Sequence, residues 1–342
     1  MLANLFSPKA PVGVPDRPST PSMSPMVTRS MTSSSSSGWS TTSQEGTLDY
    51  KYGVIPGAQG CAIIPSLIVQ GLTKQRDKRY VTKIFVDEAA YKEEKRNNAF
   101  VKQIDRTNQF TNVSFNEDPI DLSLLTKEDI KNCGQIIGTR ADLALKKYVN
   151  YEYLGKSLHT IMSHNIQLTK GDADDIIYGL TKLITKVYLM NKGELSGGTV
   201  IFHNDSHRGN IMYNPRNHNV YLIDFGLASI GAPRKGDILG DMTKLTETTG
   251  FMVTYILSTV VDLSERKKQA LNKYLEFVKL NYLGRASAPR GFVPTYTAES
   301  ILKASQDLTN EFQDGGRRRK TKRKNLNKTL RRSRHKVNRD MH

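Results

Sequence analysis

Residues 200–230, VIFHNDSHRGNIMYNPRNHNVYLIDFGLASI, contain two apolar, strand-like runs on either side of a polar turn. Asp205 lies in the turn, Asn210 follows it by five residues, and Asp224 comes fourteen residues later, directly after an apolar run. One carboxylate in such a layout can orient an attacking hydroxyl and accept its proton. An Asn and a second Asp can hold the magnesium ions that neutralise phosphate charge. The stretch therefore predicts a site for phosphoryl transfer.

The pattern H-x-D-x-x-x-x-N followed by D-F-G, which starts at His203, resembles the catalytic core of the protein-kinase-like superfamily. The resemblance implies an α+β fold of two lobes, a small β-rich N-lobe and a larger α-rich C-lobe. It implies Asp205 as the catalytic base or hydroxyl-orienting acid, and Asn210 and Asp224 as the magnesium ligands. His203 would support the loop, and ATP and Mg²⁺ would be the cofactors.

A glycine turn precedes this stretch in the chain. Gly57 and Gly60 match the second and third glycines of the kinase pattern G-x-G-x-x-G, while Ile55 stands in place of the first. Glycines let backbone N–H groups approach phosphate oxygens, which would make both residues part of the nucleotide site. Taken alone, these residues fit an ordinary hairpin turn better, and their position ahead of the Asp205 stretch is what favours the nucleotide site.

A lysine inside a β-branched strand follows the glycine turn. Lys83, within residues 80–85, resembles the kinase lysine that contacts the α and β phosphates and needs a carboxylate partner. We predict that Glu94, in the helix-like segment 87–104, is that partner, with Glu93 as the second choice. Taken alone, a strand lysine usually points to solvent.

The run from Tyr151 to Leu158 resembles a kinase hinge, where backbone groups pair with the adenine edge of the nucleotide. The resemblance makes Glu152 and Leu154 the predicted hinge positions. Without it, the run reads as an amphipathic strand with a turn. Between helix and hinge, residues 106–142 are polar and irregular, and we assign them no chemistry beyond a short helix capped near Thr126.

The surroundings of Asp205 differ from those in most protein kinases. His207 follows Asp205 by two residues, which resembles the aminoglycoside and choline kinase branch, and we predict it as a catalytic residue. Asn204 replaces the arginine that reads a phosphorylated activation loop in many protein kinases, so control by that route is not expected. The segment between Gly226 and Asp241, where we place the start of a helix, is short and has no A-P-E-like motif.

Apolar spacing predicts a buried helix over residues 174–191, and further helices over 251–261, 270–282 and 293–312. Cys61 and Cys133 lie far apart without C-x-x-C spacing, so we predict neither a disulfide framework nor a zinc site. The sequence has no apolar run long enough for a membrane span and no signal-peptide core. We therefore expect an intracellular protein that is not secreted.

Composition divides the chain into three parts. Residues 1–45 are rich in Ser, Thr and Pro and are predicted to be disordered, and 46–312 form the catalytic domain, with an N-lobe of about 46–150 and a C-lobe of about 151–312. Residues 313–342 form a basic, disordered tail. Thirteen Lys and Arg and one Asp give residues 315–342 a net charge of +12 out of +17 for the chain.

The basic tail allows three interpretations: a nuclear localisation signal, a contact with nucleic acid or another anionic surface, or a disordered, solvated segment without a partner. It resembles tails on proteins of large DNA viruses, which also encode divergent kinases. That resemblance places the protein in host cytoplasm or nucleus, or in the virion. The leading prediction is a divergent serine/threonine protein kinase of viral type. The alternatives are a small-molecule kinase of the aminoglycoside or choline type and a catalytically silent kinase-like scaffold with a nucleic-acid-binding tail.

Overall fold

The computed structural model describes most of the chain between Gly53 and Phe312. The described residues are 53–57, 59–69, 75–138, 142, 145–231, 237–282 and 296–312. The segment at 1–45 and the basic tail at 313–342, both predicted to be disordered, lie outside the described residues. The described part has an α+β fold, with an antiparallel sheet in its N-terminal region and helices in its C-terminal region, as a two-lobed kinase-like fold requires.

A four-stranded antiparallel sheet forms the N-terminal region. Its strands, in sheet order, are β1 Gly53–Gly57, β2 Gly60–Ile64, β3 Tyr80–Phe85 and β4 Tyr148–Glu152. Successive side chains of a strand point to opposite faces of the sheet. Ala62 and its partner Lys83 therefore share one face, while Cys61 and its partner Ile84 share the other.

Two capped helices lie between β3 and β4 in the chain. Helix α1, Glu88–Ile104, begins after Asp87, and helix α2, Lys127–Ile137, begins after Thr126. The Thr126 side chain accepts a hydrogen bond from the Asp129 N–H, and the Asp129 carboxylate accepts one from the Thr126 N–H. This reciprocal pair is a capping box, so the helix predicted near Thr126 is confirmed.

Helix α2 covers the sheet face that carries Cys61 and Ile84. The buried apolar residues shared between sheet, linking segment and helix are Cys61, Ile63, Leu67, Ile84, Leu125 and Cys133. Burial of this apolar surface is the main force that holds the helix on the sheet. The segment at 106–142 therefore contributes two of these six buried residues, Leu125 and Cys133.

A disulfide joins β2 to α2. Cys61 and Cys133 are bonded, with Cα atoms 5.9 Å apart, which lies in the usual range for disulfides, and 72 residues apart in the chain. The prediction of no disulfide framework is therefore wrong for this pair. It rested on the spacing of the cysteines along the chain, and that spacing carries no information about two segments that folding brings together.

The described C-terminal region consists of short strands and packed helices. The strands are β5 Lys156–Ser157, β6 Val200–Phe202, β7 Ile211–Asn214, β8 Asn219–Leu222 and β9 Ser229–Gly231. Strand β7 pairs with β5 and β8, and β6 pairs with β9. The helices are α3 Leu158–Ser163, α4 Lys170–Asn191, α5 Asp237–Thr259, α6 Glu265–Tyr282 and α7 at 298–312. In the described residues no helix is both long and apolar enough to cross a membrane.

Helix α4 forms the centre of the C-terminal core. Its buried apolar residues are Ala173, Ile176, Ile177, Leu180, Leu183, Ile184, Val187, Tyr188 and Met190. A capping box formed by Thr169 and Asp172 starts the helix at Lys170, four residues before the predicted start. Helix α5 likewise begins at Asp237, so Asp241 lies one turn inside the helix instead of at its start.

The segment that leaves α1 is tied down by one buried carboxylate. Asp105 accepts hydrogen bonds from the N–H groups of Gln109, Phe110 and Thr111, at 2.8, 3.0 and 2.8 Å, and from the Thr111 hydroxyl at 2.9 Å. The Phe110 carbonyl accepts a bond from the Leu222 N–H at 2.9 Å. Asp105 thereby fixes the connection between α1 and strand β8.

We expect Asp105→Ala to lower the free energy of unfolding by about 3 kcal/mol, because buried backbone donors lose their acceptor. Urea denaturation of both proteins measures the difference. Glu276→Ala, at an exposed position on α6, is the control and should change the value by less than about 0.5 kcal/mol. An Asp105→Ala protein as stable as the control would contradict this account of the segment.

Candidate active site

A lysine held between two carboxylates lies where β3, α1 and the segment after β8 meet. The Nζ atom of Lys83 is 2.6 Å from Oε2 of Glu94 and 2.9 Å from Oδ1 of Asp224. Glu94 lies 11 residues and Asp224 141 residues along the chain from Lys83. Glu93, the second choice for the partner, is half exposed and lies 3.6 Å from Arg96. The structure therefore selects Glu94 as the partner on α1.

The three charges shift one another's pKa values. Burial alone would lower the pKa of Lys83, but attraction to Asp224 and Glu94 outweighs it, and the net pKa is raised. Burial raises the pKa of Glu94, and repulsion from Asp224 adds to this increase. Burial also acts to raise the pKa of Asp224, but the charge of Lys83 reverses the effect and lowers it. Asp224 is therefore the more strongly ionised carboxyl group of the two.

A tyrosine that the sequence analysis did not assign holds Glu94 from its other side. The Tyr151 hydroxyl donates to Oε1 of Glu94 at 2.5 Å and accepts from Nδ2 of Asn98 at 3.0 Å. Burial, followed by the nearby charge of Glu94, keeps the pKa of Tyr151 well above 10.0, so the hydroxyl stays a donor. The ring of Phe115 meets the Tyr151 ring edge-on at 5.9 Å. Tyr151 and Lys83 together fix both oxygens of Glu94.

The loop around Asp205 is anchored by a buried aspartate of α5. Asp241 accepts hydrogen bonds from the N–H groups of His203 and Asn204, at 2.7 and 2.9 Å, and from the Ser206 hydroxyl at 3.3 Å. Asn204 adopts a positive φ of 64° at this turn. The loop backbone is therefore bonded to a helix of the C-terminal core.

His203 connects the same loop to the residue before Asp224. Its Nε2 lies 2.9 Å from the carbonyl oxygen of Ile223, and its Nδ1 lies 3.2 Å from the N–H of Asp205. These contacts fit a neutral ring that donates from Nε2 and accepts at Nδ1. Burial lowers the pKa of His203, which favours that neutral form.

Asp205, Asn210 and His207 form one polar group at the mouth of this loop. Nδ2 of Asn210 donates to the backbone oxygen and to Oδ2 of Asp205, both at 3.0 Å. His207 is exposed; its Nδ1 accepts from the Gly209 N–H at 2.9 Å, and its Nε2 lies 3.5 Å from Oδ2 of Asp205. Oδ1 of Asp205 has no hydrogen-bond partner within the described residues. It is the atom left available to a substrate.

The Asp-Phe-Gly segment is fixed under α1. Phe225 is fully buried, and its carbonyl accepts from Nδ2 of Asn97 at 2.9 Å. Asp224 has a positive φ of 64°, a conformation that suits a short polar residue. A Cβ on Gly226 would overlap the side-chain amide of Gln59 from the turn between β1 and β2. The turn between the first two strands therefore reaches the Asp-Phe-Gly segment.

The predicted glycine-turn residues and the hinge residue Glu152 lie in strands of the N-terminal sheet, and Leu154 lies two residues after β4. Gly57 pairs with Gly60 at the ends of β1 and β2, and a Cβ on Gly60 would overlap the backbone of Ile84. Gly60 is therefore required by packing in any case. Glu152 is exposed and accepts from Asn112 at 3.2 Å, and Leu154 is buried.

Three contributors to the site were missed by sequence reasoning: Tyr151, Asn97 and Gln59. Asn97 had a usable signal, because it lies one helical turn after Glu94 on the buried face of α1, together with Asn98 and Val101. Polar residues at these spacings on a buried face indicate hydrogen-bonded partners. Tyr151 and Gln59 have no comparable local signal.

We expect Tyr151→Phe to lower the free energy of unfolding by about 1–3 kcal/mol, because Glu94 loses a donor and Asn98 loses an acceptor. Asn98 already has one buried oxygen without a partner among the described residues. Chemical denaturation measures the effect, and Tyr178→Phe, with a 37% exposed ring, is the matched control. Equal, small effects of both substitutions would contradict the role of the Tyr151 hydroxyl.

The lowered pKa of His203 predicts how the free energy of unfolding depends on pH. Because burial lowers this pKa in the folded protein, the unfolded chain binds more protons as the pH falls below the ordinary value of 6.5. The stability contributed by the neutral His203 ring is therefore fully present above about pH 6.5 and is lost as the pH falls below it. His203→Asn should show a smaller loss of unfolding free energy between pH 7.5 and 5.5, about the range in which an ordinary His titrates. Identical pH slopes for both proteins would refute this.

Comparison with known families agrees with this geometry. Residues 185–234 match the family model APH, described as the phosphotransferase enzyme family. The matched segment runs from the second half of α4 through the loop with Asp205 and Asn210 to the residues just after the Asp-Phe-Gly segment. No curated protein gives a significant match to the chain. The match supports a kinase-like phosphotransferase and leaves the acceptor, small molecule or protein, open.

Proposed function

We propose that the protein is an ATP- and Mg²⁺-dependent phosphotransferase that transfers the γ-phosphate to serine or threonine hydroxyls of a protein. The observation that carries the proposal is the position of Lys83 between Glu94 and Asp224, with the loop of Asp205 and Asn210 beside it. The Ile223 N–H donates to the Asn210 carbonyl at 3.0 Å, so the two segments are directly bonded. Phosphoryl transfer depends mainly on such positioning and on charge neutralisation.

Lys83 is the group suited to the nucleotide phosphates. Glu94, itself held by Tyr151, bonds its ammonium from α1, and Asp224 bonds it from the segment after β8. An ammonium fixed in this way can bind phosphate oxygens without first losing conformational freedom. Glu152 and Leu154 are the proposed positions for adenine, and Gly57 and Gly60 for the phosphates, on the resemblance alone.

The residues fit a magnesium ion. No three His, Cys, Asp or Glu side chains of the described chain meet as a metal cluster. Magnesium, however, commonly uses one or two protein oxygens and takes its other ligands from phosphates and water. Asp224 is ionised, and Asn210 uses its Nδ2 in bonds to Asp205, which leaves its Oδ1 available as a ligand. When bound, the ion would neutralise charge on the phosphates.

Asp205 is the proposed catalytic base. Asn210 holds its Oδ2, so its Oδ1 is left to orient the acceptor hydroxyl and take its proton. The acceptor oxygen forms a bond to the γ-phosphorus while the bond from that phosphorus to the ADP oxygen breaks. The proton passes to Asp205 and then to solvent. His207, 3.5 Å from Oδ2 of Asp205, is placed to assist by contact with the same carboxylate.

A small-molecule kinase is the second candidate. The family match at 185–234 and His207, two residues after Asp205, favour it. A silent scaffold is the weakest candidate, because a scaffold has no physical need for a buried lysine between two acids. The viral origin, the intracellular location and an anionic partner for the tail at 315–342 stay predictions.

The test is transfer of label from γ-labelled ATP, with magnesium, to protein mixtures or to small alcohols and aminoglycosides. We expect label on protein, and a loss of at least about 100-fold in Asp205→Asn, because proton transfer by a positioned base contributes about that much or more. Asp118→Asn, an exposed position, is the control and should keep full activity. Label on small molecules alone would select the second candidate, and the absence of both transfer and nucleotide turnover would select the scaffold.

A further inference from the structure

We infer that the acceptor carries negative charge next to its reactive hydroxyl, because two permanent cations, Arg208 and Lys244, lie at the loop that carries Asp205; the inference rests on the proposed phosphotransfer. The acceptor is an anionic hydroxyl compound, and a serine peptide with acidic flanking residues is its proposed form. Arg208 belongs to the loop with Asp205 and Lys244 to α5, and two histidines, His207 and His159, lie near Arg208.

Arg208 is exposed and lies three residues after Asp205. Its carbonyl accepts from the His159 N–H at 3.0 Å, and its guanidinium lies over the Phe251 ring, 5.4 Å from the centroid. No carboxylate of the described chain forms an ion pair with Arg208. A guanidinium held by an aromatic face and left without an anion is well suited to a bidentate contact with a carboxylate or phosphate.

Lys244 adds a second permanent charge at the loop. It lies one turn after Asp241 on α5, and its Nζ donates to the carbonyl of Asn204 at 2.5 Å. This bond holds the ammonium beside the residue that precedes Asp205. Asp241 is buried, and its carboxylate accepts from the N–H groups of His203 and Asn204. Within the described residues it forms no ion pair with Lys244.

The histidines show that these positive groups lie close together. Partial burial lowers the pKa of His159, and repulsion from Arg208, His164 and His207 lowers it further. His207 and His159 are both exposed at the same loop. An aminoglycoside carries several positive charges and would meet repulsion from Arg208 and Lys244, whereas an anion would be attracted to both.

Two exposed apolar side chains favour a peptide over a small phosphorylated alcohol. Phe251 is 48% exposed beneath Arg208, and Leu227 is 53% exposed where its carbonyl accepts from Asn204 at 2.9 Å. A peptide has several side chains and can cover both apolar residues next to the charged loop. A small anionic alcohol would leave this surface uncovered.

The experiment compares kcat/KM for three serine peptides of equal length, whose flanking residues are Glu, Gln or Lys, with a phosphorylated sugar alcohol and an aminoglycoside as further arms. We expect the Glu peptide to exceed the Gln peptide by about tenfold at low salt, since two exposed ion pairs contribute about that much together. High salt should reduce the preference.

Paired variants identify the groups responsible. Arg208→Gln/Lys244→Gln should remove the preference for Glu, and Arg208→Glu should shift it toward the Lys peptide. Lys273→Gln/Lys303→Gln, at exposed positions on α6 and α7, is the matched control and should keep the preference. Thermal unfolding of each variant shows whether the fold is retained. A shift toward the Lys peptide in Arg208→Glu reports a charge effect, because misfolding would lower the use of all three peptides alike.

The outcomes separate this inference from the proposed function. Equal use of all three peptides, a preference for Lys, or a Glu preference that survives Arg208→Gln/Lys244→Gln would overturn it. Efficient use of the phosphorylated sugar alcohol alone would uphold the anionic chemistry and overturn the peptide as its source. Nucleotide hydrolysis that depends on Asp224 without transfer to any arm would overturn the inference and leave phosphotransfer standing. No nucleotide turnover at all would overturn both this inference and the proposed phosphotransfer.

Discussion

One ammonium shared by two carboxylates is the interaction on which the site depends. Lys83 comes from the sheet, Glu94 from α1, and Asp224 from the segment after β8, so the contact holds three separate elements in register. With both acids ionised, the cluster carries one excess negative charge. Buried charges of this kind are costly unless they are paired, which explains the hydrogen bond from Tyr151 to Glu94, while Asn97 holds the Phe225 carbonyl next to Asp224.

The loop with Asp205 is supported independently of this cluster. Asp241 binds its backbone from α5, and His203 joins it to Ile223, so the loop takes its shape from the C-terminal core. The cluster of Lys83, Glu94 and Asp224 and the loop with Asp205 are therefore held mainly by different elements. The Ile223 N–H donates to the Asn210 carbonyl, and the pairing of β6 with β9 and of β7 with β8 joins the two segments further.

The sequence was most informative where chemistry requires fixed spacing within one hairpin. Asp205, Asn210 and Asp224 could be found from that spacing, and α1 and α2 from their caps and periodicity. What could not be found are contacts between distant segments: Tyr151 with Glu94 spans 57 residues, Asn97 with Phe225 spans 128, and the disulfide spans 72. A hydrogen bond or disulfide leaves no local pattern when its partners meet only after folding. Helix α4 starts four residues before its predicted start because the capping box of Thr169 and Asp172 lies ahead of the apolar spacing.

The contact between Gln59 and Gly226 joins the first hairpin to the Asp-Phe-Gly segment. The side-chain amide of Gln59 fills the space where any larger residue at position 226 would have a Cβ, between the strand turn and the Asp-Phe-Gly segment. A larger residue at position 226 would therefore require the turn between β1 and β2 to move away from the Asp-Phe-Gly segment. The residue type at position 226 and the position of the first hairpin are thus coupled.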